Sequence, residues 1–300
     1  MIIWRFIDRK IGHEKQSLGL LNALSKLIDI EIHSIDVSKP PSFWKQIGNH
    51  LMGEKFHLPN PDILLGAGHA THLPIAASRA IFGGKSIVLM KPSLPIALFD
   101  LVIVPQHDRY VPAINLIISS GVLGPIHAKP KESNTGMILL GGISRHFEWK
   151  NKLVLEHIDR IIGSSPSISW TICDSRRTPH STQEALTKER NYDYKHWEQT
   201  NSEFLNEALA KTEFVWVTSD SASMLYEALS SGASVGVILL EKNKRSNKNK
   251  ILKTIDMLKN EQRITLSTDS CLLNPPNDNA APFNENQRIA QIVTAKLNIK

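Results

Sequence analysis

The 300-residue chain predicts an α/β protein of two doubly wound units, and three observations carry that expectation. Short apolar runs alternate with helix-like stretches, the pattern of parallel strands covered by helices on both faces. The alternation lapses once, after residue 105, and resumes near residue 137. The length suits two cores of about 150 residues better than one.

In the first series, "MIIWRFI" reads as a strand. "EKQSLGLLNALSKLI" reads as a helix with Leu18, Leu21, Leu24 and Ile28 on one stripe, and "IEIHSIDV" alternates as a strand does. "PSFWKQIGNHLM" places Phe43, Trp44, Ile47 and Leu51 near one helical face with Lys45 opposite, a pattern that fits core packing or a membrane foot. "DILLGAG" (62–68), "SIVLM" (86–90) and "LVIVP" (101–105) are further strands, with the helix "ATHLPIAASRAIF" between the first two. "NLIISSGVLGPIHAKPKESNTG" is rich in turn residues and reads as crossover and linker. The second series runs "MILLGG" (137–142), the helix "NKLVLEHIDRIIG", "ISWTIC" (168–173), a helix from about Thr182, "EFVWVT" (213–218), a helix from Ser221, and "SVGVILL". A loop, "NPPNDNAAPFNEN", precedes a last helix, "NQRIAQIVTAKL". The expected organisation is a first unit over 1–130, a second over 131–284, and a terminal helix over 285–300 crossing back to the first.

An apolar content of 41% and a charged content of 21% exclude disorder as the main state. The formal charge of +6 favours anionic partners such as nucleotides, phosphates or an acidic membrane face. No nucleic-acid partner is expected. Cys173 and Cys271 have no paired spacing, so neither a disulfide framework nor a zinc site is encoded, and a reducing compartment fits. The first residues turn charged by Asp8 and nowhere do eighteen apolar residues run uninterrupted. The expectation is a cytoplasmic protein without a cleaved signal peptide or a membrane span, working at the inner face of the membrane if it touches one.

Loops at the carboxyl ends of parallel strands are where ligands sit in open sheets, so their residues are the candidates for chemistry. "DRKIGHEKQ" brings Gly12, His13 and Glu14 to a helix start, an imidazole beside a carboxylate being equipment for taking a proton from a hydroxyl. The same residues also read as a turn with a solvated histidine. "GAGHATH" lacks the third glycine and the acidic partner of a dinucleotide fingerprint, and His69 and His72 lack a third metal ligand, so it reads as a helix N-terminus facing a cleft. "LLGGISRHFEW" offers Gly141, Gly142, Ser144 and Arg145 to a phosphate, and "CDSRRTP" places Ser175, Arg176 and Arg177 at the next strand end. A glycine turn and arginines pointing into water are the alternative there. "FVWVTSDSASMLYEALSSGASVGVILL" ends a buried strand in Ser219, Asp220, Ser221 and Ser223, with Glu227 a turn further on.

Together "GHEKQSLGL", "GAGHATH", "KPSLPIALFDLVIVPQHD", "LLGGISRHFEW", "SRRTP" and "VTSDSASMLYEALSSGASVGV" resemble a family known from plant mitochondrial-fission factors of the elongated-mitochondria type and from bacterial lipooligosaccharide glycosyltransferases. The resemblance spans nearly the whole chain. It implies a GT-B architecture: two Rossmann-like domains facing a cleft, the acceptor on the first, a nucleotide-sugar on the second, and no obligate metal or other cofactor. It also implies that Ser219, Ser221 and Ser223 lie beside the donor diphosphate, with Gly141, Gly142, Ser144, Arg145 and Arg176, and that Glu227 binds the ribose. Asp220, repulsive to a diphosphate, is assigned to helix capping. Gly12, Gly68, His69 and His107 fall on the acceptor side. His13 is the expected base with Glu14 close behind, and inverting transfer to a cell-envelope saccharide or lipid-linked acceptor is the expected reaction. A non-catalytic scaffold for membrane remodelling and a nucleotide-sugar epimerase are the alternatives. The basic run "EKNKRSNKNK" (241–250), with Lys242, Lys244, Arg245, Lys248 and Lys250, is either a solvated loop or a contact for anionic headgroups.

Overall fold

The computed structural model describes residues 1–106, 108, 110–126, 128–188, 191–243, 250–274 and 283–298, without the side chains of residues 40, 41 and 250. His107 and the basic residues Lys244, Arg245 and Lys248 lie outside the described residues, as does the side chain of Lys250.

The first sheet is formed by β1 (Ile2–Ile7), β2 (Glu31–Asp36), β3 (Ile63–Ala67), β4 (Lys85–Leu89), β5 (Leu101–Pro105) and β6 (Leu116–Ser119). Its helices are α1 (Ile11–Leu24), α2 (Pro40–Leu51) and α3 (His69–Phe82). The second is formed by β7 (Glu132–Leu139), β8 (Ser169–Cys173), β9 (Asp193–Lys195), β10 (Thr212–Thr218), β11 (Ser234–Ile238) and β12 (Thr265–Leu266). Its helices are α4 (Asn151–Ser164), α5 (His180–Leu186), α6 (Ser202–Lys211), α7 (Ala222–Ser230) and α8 (Lys250–Asn260). A last helix, α9 (Glu285–Lys296), follows. The chain divides into one unit of Met1–Pro125 with Asn284–Lys300, and another of Ile126–Phe283.

Every strand pair is parallel. The first sheet has the order β2-β1-β3-β4-β5-β6 and the second β12-β11-β10-β7-β8-β9. Strand order therefore reverses between β1 and β3 in one unit and between β7 and β10 in the other, and those points decide where a ligand can enter.

The central strands are apolar throughout because helices cover both faces; β3 and β5 are buried at every residue. One face of the first sheet packs Ile3, Leu65 and Ile87 against Leu20, Leu21 and Leu24 of α1 and Ile289, Ala290 and Val293 of α9. The opposite face packs Trp4, Leu64 and Val88 against Phe43 and Ile47 of α2 and Ile75 of α3. The return of α9 is fixed by polar contacts as well: Glu285 accepts from the Ser120 amide at 2.7 Å, and Asn286 accepts from the Gly124 amide at 3.3 Å.

Several sequence expectations change. Leu18 is exposed, and Leu20 takes its place on the buried face of α1, which must cover both the sheet and α9. Leu51 is exposed at the end of α2, while Phe43 and Ile47 enter the core. The presumed linker contains β6, an edge strand too short for its alternation to stand out among turn residues. β7 starts at Glu132 because it pairs with Thr212 before its apolar stretch begins. The short strands β9 and β12 and the helices α6 and α8 are elements beyond those expected.

One polar network ties α3 to β4 and the start of β5. Asp100 accepts from Arg79 Nε and Nη2 at 2.7 and 3.1 Å and from the Ser86 amide and hydroxyl at 2.9 and 3.0 Å. Burial opposes the charge on Asp100, but the donors of Arg79 and Ser86 prevail and hold the carboxyl below its ordinary range. Asp100→Ala should lower unfolding free energy by about 2 to 4 kcal/mol, since it strands donors that served a charged acceptor. Chemical denaturation of the two proteins checks this.

Candidate functional site

The first unit presents the ends of β1 and β3 on either side of its switch point. β1 ends at Ile7, and the chain turns through Asp8 into α1. Asp8, with its side chain 2% exposed, accepts from the Lys10 amide at 3.2 Å and pairs through Oδ2 with His13 Nδ1 at 2.9 Å. Arg5 anchors the start of α1 from within β1, donating to Ser17 Oγ at 3.0 Å and to the Glu14 carbonyl at 2.8 Å. The His13 side chain keeps about a fifth of its surface open.

The carboxylate partner of His13 is thus Asp8 and not its sequence neighbour Glu14. Adjacent residues on a helix point about 100° apart, whereas the strand end lies beneath the first turn. The charge of Glu14 acts instead on Arg5 and Arg9.

Gly68 caps the start of α3 with φ of +88°, a conformation natural to glycine. A Cβ at Gly68 would lie 2.1 Å from His13 Nδ1, so the His13 imidazole rests against the α3 N-terminus because residue 68 has no side chain. His69 is exposed at the first position of α3, and its ring centroid is 6.1 Å from that of buried His72. His72 Nδ1 accepts the Ser93 amide at 3.2 Å and contacts the Ser93 hydroxyl at 3.0 Å. Burial, reinforced by His69 and His13, pushes the His72 imidazole down to about 4. Gly12 sits in the exposed first turn of α1 with open space around its Cα.

In the second unit the ends of β7, β8 and β10 are tied together across the switch point. The Gly141 amide donates to Thr218 Oγ1 at 2.7 Å and the Gly142 amide to Asp220 Oδ2 at 3.0 Å. The Gly141 carbonyl accepts from Ser175 Oγ at 2.7 Å and from Thr178. Asp220 also accepts from Thr218 Oγ1 at 2.7 Å and pairs with Arg177 Nη1 at 2.8 Å, its own side chain fully enclosed. A Cβ on Gly142 would lie 1.9 Å from the Arg177 carbonyl oxygen, which makes this crossing specific to glycine.

These contacts correct two expectations. The glycine amides are spent inside the protein rather than offered to a phosphate. Asp220 does not cap α7; Ser221 does, accepting from the Met224 amide at 3.4 Å. The reason is geometric: Asp220 is still in the turn, and its enclosed carboxylate closes a ring of donors from three strand ends. Ser219 is also internal, its hydroxyl accepting from the Leu240 amide at 2.9 Å. Ser144 accepts from the amides of His146 and Phe147, at 3.3 and 3.2 Å. Of the expected donor-side residues, Ser223 in the first turn of α7, Arg145 and Arg176 are exposed, Arg176 lying 5.3 Å over the Trp197 ring. Glu227 is half-buried one turn along α7. Of the residues that build these sites, Thr178 was not expected; Asp8 and Arg177 are strand-end candidates in the sequence, which does not give their partners.

Two parallel six-stranded sheets of doubly wound topology define an α/β protein of the GT-B-like class. The chain belongs to the family described as Mitochondrial fission ELM1, which it matches over residues 11–297. An uncharacterised protein of Rickettsia prowazekii is 24% identical over 356 residues, covering all of this chain and 99% of the relative. Among solved structures, the UDP-GlcNAc 2-epimerase of Neisseria meningitidis, bound to UDP-GlcNAc, is similar with a TM-score of 0.53 at 10% identity, covering 100% of this chain and 99% of its own. The ADP-heptose lps heptosyltransferase II of E. coli is similar with a TM-score of 0.52 at 10% identity, covering 99% of both chains. No helix among the described residues is long and apolar enough to cross a membrane.

The depressed His72 has a consequence for acid stability. Between its ordinary value of 6.5 and its folded value of about 4 the unfolded chain binds a proton that the folded chain refuses. Stability should therefore fall as pH drops through that window, and His72→Gln should flatten this part of the profile. Urea midpoints measured at intervals between those two pH values provide the check.

Proposed function

We propose that this protein transfers a sugar from a nucleotide-sugar to a hydroxyl of a cell-envelope saccharide or lipid-linked acceptor, with the acceptor on the first unit and the donor on the second. The observation that carries this reading is the Asp8–His13 pair, set against Gly68 at the first unit's switch point. The fold class, whose other members named above include proteins of nucleotide-sugar chemistry, supports it.

In this mechanism Asp8 accepts the His13 Nδ1 proton and fixes the tautomer in which Nε2 is free to act as base. His13 Nε2 removes the acceptor hydroxyl proton as the oxygen attacks the anomeric carbon, and the nucleoside diphosphate departs from the opposite face with inversion. The first-turn amides of α7 at Ala222 and Ser223 have no intrahelical acceptors, so they and the helix dipole stabilise the leaving diphosphate. Arg145 and Arg176 add charge, and this neutralisation replaces a metal ion. Glu227 accepts the ribose hydroxyls. Asp220 and Arg177 hold the loops in register beneath the donor. The protein acts in the cytoplasm, at the inner face of the membrane when the acceptor is lipid-linked.

Asp8→Asn should reduce turnover by about a hundredfold or more with donor binding intact, because the imidazole loses the carboxylate that orients and charges it. Glu14→Gln should change turnover by less than about threefold, an effect within that of a lost surface contact. Steady-state transfer assays with donor affinity measured by calorimetry separate the two; equal losses would move the base to Glu14.

The donor side is tested by thermal shift with UDP-, GDP-, CMP- and ADP-sugars, where saturation at a hundred times the dissociation constant adds about 2.7 kcal/mol. Glu227→Ala should weaken the stabilising donor by about 1.5 to 3 kcal/mol. Interconversion of the donor sugar without an acceptor would favour an epimerase, and no response to any nucleotide-sugar would favour a scaffold.

A further inference from the structure

The α3 N-terminus holds a buried donor that the base mechanism leaves unused. His72 is 1% exposed, and its Nε2 has no hydrogen-bond partner among the described residues. The Ser93 amide can only donate, so His72 Nδ1 is the acceptor and the ring proton resides on Nε2. The orphan atom is therefore an N–H donor, of the kind that folded proteins satisfy almost without exception.

Its direction follows from helix geometry. His72 is the fourth residue of α3, and helical side chains lean back over the turn that precedes them. The Nδ1 edge of the ring is taken by Ser93, and the ring centroid lies 6.1 Å from that of His69 at the start of the helix, so the unpartnered Nε2 is a donor close to that first turn. Here the amides of His69 and Ala70 have no intrahelical acceptors, while the Thr71 amide turns back to the Gly68 carbonyl at 3.1 Å. His69 stands exposed at the rim, and the His13 imidazole lies against Gly68. No carboxylate belongs to the first turn of α3; Asp8, the acid beside it, is engaged by His13 and the Lys10 amide.

We propose that the first turn of α3, with the His72 Nε2–H donor behind it and His69 at its rim, holds a phosphate group carried by the acceptor. Free amides and the positive end of a 14-residue helix favour an oxyanion. A neutral imidazole donor adds direction without charge, and three N–H groups in the same first turn match in number the three terminal oxygens of a phosphate ester. Seated there, the phosphate places the rest of the acceptor beside His13. The inference rests on the reading that the first unit takes the acceptor, and it names the chemistry by which that unit would recognise it.

The test reads His72 directly, by imidazole ¹⁵N and ¹H resonances of the whole protein titrated with inorganic phosphate. A downfield, exchange-protected Nε2–H signal that saturates with a dissociation constant on the order of 1 mM supports the site. His72→Phe should weaken phosphate about tenfold, and His72→Gln, which keeps a donor at similar reach, should retain most of the affinity. Absence of any His72 response overturns the proposal on the wild-type protein, whatever the variants do. Equal binding of acetate overturns the phosphate assignment. Displacement of phosphate by UDP or ADP, with the His72 signal moving to the nucleotide-bound position, gives the site to the donor and overturns the acceptor assignment. Phosphate binding at His72 in a protein that turns over no nucleotide-sugar would instead sink the transferase reading while the oxyanion site stands.

Discussion

The constraint on which both units depend is the reversal of strand order in a parallel sheet. Parallel connections must cross over a face, and a sheet that grows outward in both directions from its first strand sends consecutive crossovers to opposite sides. At the reversal the two flanking loops part, and strand-end residues there are not roofed by a crossover. In the first unit this happens between β1 and β3, in the second between β7 and β10. Asp8, His13 and Gly68 flank one reversal; Gly141, Gly142 and Asp220 flank the other.

Each reversal is organised around an enclosed carboxylate, and the two differ in what they hold. Asp8 is directed at an imidazole that retains access to solvent, a pairing that can move a proton. Asp220 is directed at a backbone amide, a threonine hydroxyl and an arginine, a pairing that fixes loops. An unpaired carboxylate in such a place would be costly, so the ring of donors around Asp220 is a condition of its burial. The glycines at 68 and 142 serve both arrangements by letting another chain segment approach where a Cβ would collide.

The family assignment and the fold agree with each other, and neither names a substrate. Fold similarity at 10% identity concerns the scaffold, since unrelated activities share it. The chemical argument is carried by side chains at the switch points. In the first unit these are the imidazoles of His13 and His69 at a helix N-terminus; in the second, the enclosed carboxylate of Asp220, paired with Arg177, just before a helix N-terminus.

What the sequence determined by itself was the alternation of buried strands with helices, the two successive series, and the strand ends at which polar residues gather. These are local matters: "FVWVT" must be buried on both faces, and "SDSAS" must leave the sheet. Ser221 as a cap was within reach for the same reason, because a cap serves amides two or three residues away. The two-residue strand β12 is too short to show a period, whereas α8 carries one in Ile251, Leu252, Ile255 and Leu258. Only the tertiary structure decided which carboxylate serves His13, because Asp8 comes from the strand and Glu14 from the next helix turn. It alone showed that Asp220 reaches Gly142, 78 positions away, and that the Gly141 and Gly142 amides are already engaged. Proton position and hydrogen-bond availability depend on which groups meet in space, and residues far apart in sequence meet here through sheet order, which local periodicity does not encode.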